Sequence, residues 1–215
     1  MSRRKPPLPP ILKRPTRPVE EPRLRVTIFC EGKNTEPDYF KKFADEHGNK
    51  LVVVKTIGPA GAPPVIVAKA LIAKRDASRQ RQASYEKRDQ VWAAFDYDDR
   101  PNIQACIKAA KDGGVRVAFS NPCFEFWALL HFVGYGAALN SAEAQHLLRK
   151  HMPKYDPSGT KLLDYHALKD RYEDACRRAE TLRRQREVEG VHYGCPYTDV
   201  HVLTDLIVKN GKRKP

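Results

Sequence analysis

The chain has 215 residues, of which 41% are hydrophobic and 30% charged, with a formal net charge of +13. That length suits one α/β domain with some extension. No apolar run approaches the roughly 20 residues of a membrane span and no apolar signal segment opens the chain, so a cytoplasmic protein with no membrane role is expected.

Residues 1–22 hold seven of the 17 prolines, mixed with Lys and Arg. Proline lacks the N–H that helices and ladders need, so this arm is predicted to be extended or disordered. Order is predicted from Leu24. Leu24–Cys30 is β-branched and apolar and reads as a buried strand. Asn34 or Thr35 is placed to cap a helix over Glu36–His47, with Pro37 in its first turn. Leu51–Ile57 is a second strand, G-P-A-G-A-P-P a turn, and Val65 to about Ala83 a helix. Gln90–Phe95 is a third strand, Asn102–Asp112 a helix closed by Gly113 and Gly114, and Val115–Phe119 a fourth strand. Asn121-Pro122 breaks that strand, and Phe124–Phe132 is an apolar helix.

Beyond residue 139 the pattern turns helical and more polar. Ser141 is placed to cap Ala142–Lys150, Tyr155–Thr160 is a loop, and Asp164–Arg186 is one long helix of mixed charge. Y-G-C-P-Y-T-D is a turn, and Val200–Val208 opens a last amphipathic helix. The alternation of strands and helices predicts an α/β fold, a mostly parallel sheet flanked by helices. The predicted divisions are a basic Pro-rich arm over 1–22, an α/β core over 23–138, a helical part over 139–208 packed on it, and a basic tail over 209–215.

The charge is unevenly spread. Residues 1–25 carry +6 and residues 209–215 carry +4, which leaves +3 for residues 26–208. The ends therefore supply most of the positive field; basic tails of this kind commonly bind nucleic acid through its phosphates, and the alternative is that they only keep the protein soluble. The five cysteines are odd in number and contain no C-x-x-C, which argues against a disulfide scaffold or a cysteine zinc site. No G-x-S-x-G, P-loop or G-x-G-x-x-G occurs, which disfavours a serine nucleophile or nucleotide hydrolysis by this chain.

The chemistry lies in acids at strand ends. Glu31 and Glu36 follow the first strand in C-E-G-K-N-T-E; Asp96, Asp98 and Asp99 follow the third in A-A-F-D-Y-D-D. In parallel sheets ligands bind outside the carboxyl ends of the strands, so the two clusters can meet there. Gathered carboxylates repel unless a cation lies between them, and a hard divalent ion such as Mg²⁺ prefers oxygen ligands. Lys33 and Arg100 lie near the acids and are candidates to contact phosphate oxygens. In S-N-P-C-F-E-F-W-A-L-L-H-F, Asn121 is a candidate to orient water or phosphate and Glu125 a further acid, while His131 reads as a buried core histidine.

At these residues the chain resembles the RloB family, small Toprim-like proteins of restriction and abortive-infection phage-defence loci. The matching segments are C-E-G-K-N-T-E-P-D-Y-F at 30–40, F-D-Y-D-D at 95–99, S-N-P-C-F-E-F-W-A-L-L-H-F at 120–132 and C-P-Y-T-D-V-H-V-L-T-D-L at 195–206, where Cys195 replaces the usual Asn. More distantly, E-G…T-E and D-x-D are similar to the Toprim site of OLD-type nucleases, primases and topoisomerases, with one extra residue between Glu31 and Thr35. The resemblance implies a Toprim-like fold and a Mg²⁺- or Mn²⁺-dependent nuclease cutting DNA or RNA in anti-phage defence. It implies Glu31, Asp96 and Asp98 as the catalytic residues, with Glu31 as general acid/base, the same three and Asp99 as metal ligands, and Glu36 and Glu125 in support. It also implies an AAA-type ATPase partner. A non-catalytic module that binds nucleic acid or that ATPase, with a vestigial acidic site, is the competing expectation; nucleotidyl or phosphoryl transfer to a small substrate is a third.

Overall fold

The computed structural model describes residues 24–80, 89–100 and 102–212. The predicted arm over 1–22, the last turn of the second helix beyond Gln80 and residues 213–215 lie outside them. In chain order the elements are β1 (Leu24–Cys30), α1 (Thr35–His47), β2 (Val52–Ile57), α2 (Pro63–Gln80), β3 (Gln90–Asp96), α3 (Ile103–Asp112), β4 (Arg116–Asn121), α4 (Phe124–Leu130), α5 (Ser141–His151), α6 (Tyr165–Lys169), α7 (Tyr172–Val188), β5 (Tyr197–Thr198) and α8 (Val200–Gly211). The sheet order is β2-β1-β3-β4-β5, parallel throughout except for the short antiparallel β5. This is the α/β, mostly parallel architecture that the alternating pattern predicts, and it is consistent with a Toprim-like fold.

The period-2 alternation of a strand sends successive side chains to opposite faces. Val26, Ile28 and Cys30 of β1, Trp92 and Ala94 of β3 and Ala118 of β4 enter one core, shared with α1, α4, α5, α7 and α8. Phe29, Val91, Ala93, Phe95, Val117 and Phe119 enter a second core under α2 and α3. Both faces are covered, which is why these strands read as continuous apolar runs. Phe126, Trp127, Leu129 and Leu130 of α4 are all completely buried, and each such side chain contributes roughly 1.5–3 kcal/mol through removal from water. His131 is buried as expected, with Nδ1 3.0 Å from the Trp127 carbonyl.

Four local expectations are corrected. The long helix over Asp164–Arg186 is two helices, α6 and α7, broken at Asp170–Arg171. No Gly or Pro marks the break; packing does. The Arg171 guanidinium lies 5.3 Å from the Phe132 ring centre and the Tyr172 ring 4.9 Å from Phe43, contacts that override helix propensity. The Y-G-C-P-Y-T-D turn contains β5, which pairs with β4 through Ser120↔Thr198 and Asn121↔Tyr197. Helix α8 runs through Gly211 into the predicted basic tail, where the Gly211 carbonyl accepts from Asn49 at 2.9 Å. The cap of α5 is Asn140, in a reciprocal capping box with Glu143, not Ser141. The Arg-rich face of α7 is largely self-paired: Arg177 with Asp174, Arg183 with Glu180 and Glu187, Arg186 with Glu189. No helix among the described residues is long and apolar enough to cross a membrane.

Candidate active site

Two strand ends make the floor of the site. The register pairs Cys30 with Ala94, so Glu31, just past the end of β1, falls level with Phe95 and next to Asp96, the last residue of β3. The Glu31 N–H donates to the Ala94 carbonyl at 3.0 Å, and the Asp96 N–H donates back to Glu31 Oε2 at 3.3 Å. Helix α4 starts one strand over, just past β4, and delivers Glu125. Glu31, Glu36, Asp96, Asp98 and Glu125 together line one cavity of about 150 Å³, with Gly32, Thr35, Cys123, Gln145 and Lys161.

Each acid is held by its own local device. Gly32 lets its backbone approach Glu36: its N–H donates to Glu36 Oε1 at 3.0 Å, and a Cβ at this position would stand 2.1 Å from Glu36 Oε2. Asp98 and Asp99 adopt successive left-handed conformations, φ 39° and 54°, which non-glycine residues occupy at a cost and which recur at functional turns. The Ser141 hydroxyl donates to Asp98 Oδ1 at 3.1 Å. Glu125, 4% exposed, accepts from the Tyr155 hydroxyl at 2.5 Å. Arg100 Nη2 lies 2.7 Å from Glu31 Oε1.

Burial and mutual repulsion shape the proton affinities. Burial raises Glu36 to about 7, against the pull of the Gly32 N–H, and Glu125 and Glu31 add to the rise. Asp96 is pushed well up, first by burial and then by Glu36, Glu125 and Asp98. Glu31 is also raised by burial, while the Asp96 N–H and Arg100 draw it back. Several carboxyls that resist ionisation in one cavity mark it as a candidate functional site. The Cys30 and Cys123 thiols are raised well above their ordinary value by burial, which makes them inert packing groups and not nucleophiles.

The other sequence candidates fall elsewhere. Asp99 lines a neighbouring hollow of about 340 Å³ with Asn121, Glu143 and Cys195, joined to the first through Asp98. Asn121 donates to the Tyr193 carbonyl at 2.9 Å. Lys33 is exposed and does not line the acidic cavity. Arg100 is beside the acids but engaged with Glu31. Among the described residues no three Asp, Glu, His or Cys side chains form a ready-made metal cage. Glu31, Glu36, Asp98 and Glu125 each direct an oxygen to a protein donor. The donor set itself, carboxylate oxygens with one side-chain amide, fits a hard divalent cation.

Sequence reading missed three lining or supporting groups: Gln145, Tyr155 and Lys161. They arrive through the 152–164 segment and α5. Asn34 Nδ2 donates to the Thr160 carbonyl and Thr35 Oγ1 to the Lys161 carbonyl, both at 3.0 Å. The two predicted cap residues of α1 thus make no side-chain cap; they fasten a loop 126 residues away. The one local hint was that loop's own Asp-Pro-Ser-Gly turn.

Searches of curated proteins and of solved structures each found no match. The family model described as RloB-like protein matches residues 26–207, a span that takes in the whole acidic cavity and, apart from the first two residues of β1 and the last turn of α8, the fold around it. The chain belongs to the RloB-like family.

Proposed function

We propose that the protein is a divalent-metal-dependent nuclease that cleaves phosphodiester bonds in DNA or RNA, acting in anti-phage defence together with an AAA-type ATPase. One observation carries this reading: five carboxyl groups from three separate segments converge at the carboxyl rim of a parallel sheet, and three of them have raised proton affinity. Asp96 and Asp98 would hold Mg²⁺ or Mn²⁺, with Glu36 and Glu125 behind them; Asp99 lines the adjoining hollow. A bound divalent ion supplies Lewis-acid polarisation of a phosphoryl oxygen. Glu31 is the proton-handling group. Its Oε1 pairs with Arg100 and its Oε2 with the Asp96 N–H, so the carboxyl is fixed while burial lifts it toward neutrality, where a general acid or base is most effective. The basic residues at the chain ends would hold the polymer by phosphate contacts.

The satisfied state of the acids favours one rival, a non-catalytic module that binds nucleic acid or the ATPase. Purified protein with end-labelled DNA or tRNA and Mn²⁺ separates the two. The nuclease reading expects cleavage that Asp96→Ala abolishes and calorimetric Mn²⁺ binding that Asp98→Asn weakens. Equal traces of cleavage from wild type and Asp96→Ala, or no heat with Mn²⁺, leave the module.

A further inference from the structure

Among the described residues that line the acidic cavity, one is a cation. Lys161 comes from a loop far from the strand ends, and its placement is over-determined. Its carbonyl accepts from Thr35 Oγ1, the preceding carbonyl accepts from Asn34, and its N–H donates to the Asp156 carbonyl at 3.1 Å. Asp156 braces the loop from within by accepting the Ser158 N–H at 3.0 Å. Tyr155, at the other end of the turn, is bonded to Glu125 in the same cavity. Lys161 itself is held at φ 54°, a conformation that a lysine adopts only where surrounding contacts enforce it.

Despite lining a cavity with five carboxyls, Lys161 makes no ion pair within 4.0 Å among the described residues, and it is exposed. Arg100, by contrast, pairs through Nη2 with Glu31 while its Nη1 is buried without a hydrogen-bond partner among the described residues, and Lys33 does not line the cavity. A lysine tethered at the wall on a four-carbon stem, with its ammonium free of carboxylate partners, is suited to meet an anion that enters from outside. We propose that Lys161 is a substrate-contacting residue that binds a non-bridging oxygen of the phosphodiester brought to the acidic cavity, the role the sequence suggested for Lys33 and Arg100. The inference rests on the nuclease reading for the identity of the substrate, and on the loop geometry for the residue.

The test uses the full chain, an end-labelled single-stranded DNA and a tRNA. Binding is measured in EDTA and cleavage in Mn²⁺ for wild type, Lys161→Ala and Lys161→Arg. Lys161→Ala is expected to weaken binding on the order of tenfold and to lower the slope of log Kd on log salt by about one, with Lys161→Arg restoring most of both. Cleavage should then fall through KM, while Mn²⁺ affinity by calorimetry stays as in wild type. Wild-type binding and salt slope in Lys161→Ala would overturn the assignment. So would a change confined to Mn²⁺ affinity, which would make Lys161 a counter-ion of the acids. Weakened binding in Lys161→Ala with no cleavage by wild type would sustain the contact and defeat the nuclease reading instead.

Discussion

Replacing Glu36 by Gln should make the protein more stable at pH 8 and leave it unchanged at pH 4.5. Glu36 is 4% exposed and its carboxyl is raised from 4.5 to about 7 by burial and by its acidic neighbours. A carboxyl with a higher pKa folded than unfolded keeps its proton longer in the folded state. Stability therefore falls as pH rises from about 4.5 through 7 and levels off above. The shift corresponds to about 3 kcal/mol at pH 8. Gln keeps the shape and the carbonyl oxygen that accepts the Gly32 N–H, but it cannot ionise. For a chain of this size, about 3 kcal/mol corresponds to roughly 6–12 °C in Tm. Urea unfolding of both proteins in EDTA, from pH 4.5 to 8.5, measures the difference; ionisations of groups away from the acidic cavity cancel between the two. Mn²⁺ at pH 8 should raise the wild-type Tm and raise that of Glu36→Gln less, because the variant has less repulsion to relieve and one ligand fewer. A variant that is no more stable than wild type at pH 8, with a parallel pH curve, would refute the picture of a buried, charge-frustrated cluster.

Other substitutions probe single contacts. Tyr155→Phe removes the donor to the buried Glu125 and should destabilise by about 1–3 kcal/mol in urea at pH 8; a loss under about 0.5 kcal/mol would mean that the bond contributes little. Arg100→Ala removes a group that lowers the Glu31 pKa, so the acid limb of the cleavage profile should move to higher pH; an unmoved limb would exclude Glu31 as the titrating group. Asp96→Asn should lower cleavage by about 100-fold or more while leaving Tm at pH 8 unchanged or higher, since it removes a buried, repelled charge. Loss of both fold and activity in Asp96→Asn would instead mark a structural role.

Local chemistry wrote much of this protein legibly. Apolar runs separated by helical periods specify the strands β1 to β4 and their parallel arrangement, because burial on both faces leaves a continuous hydrophobic signal. Acids directly after β1 and β3 mark the rim where a parallel sheet places ligands, so Glu31, Asp96 and Asp98 could be named before any coordinates. Short-range signals were weaker where two equivalent polar residues adjoin: Asn140 and Ser141 both suit a cap, and only the geometry assigns the cap to Asn140 and the Asp98 contact to Ser141. Tertiary structure alone decided that Asp99 lines the neighbouring hollow, that Arg100 binds Glu31, that Tyr155 bonds to Glu125 and that Lys161 lines the acidic cavity. These facts depend on bonds between residues up to 126 positions apart. Hydrophobic periodicity reports which face of an element is buried; it carries no record of which distant loop will be fastened over it.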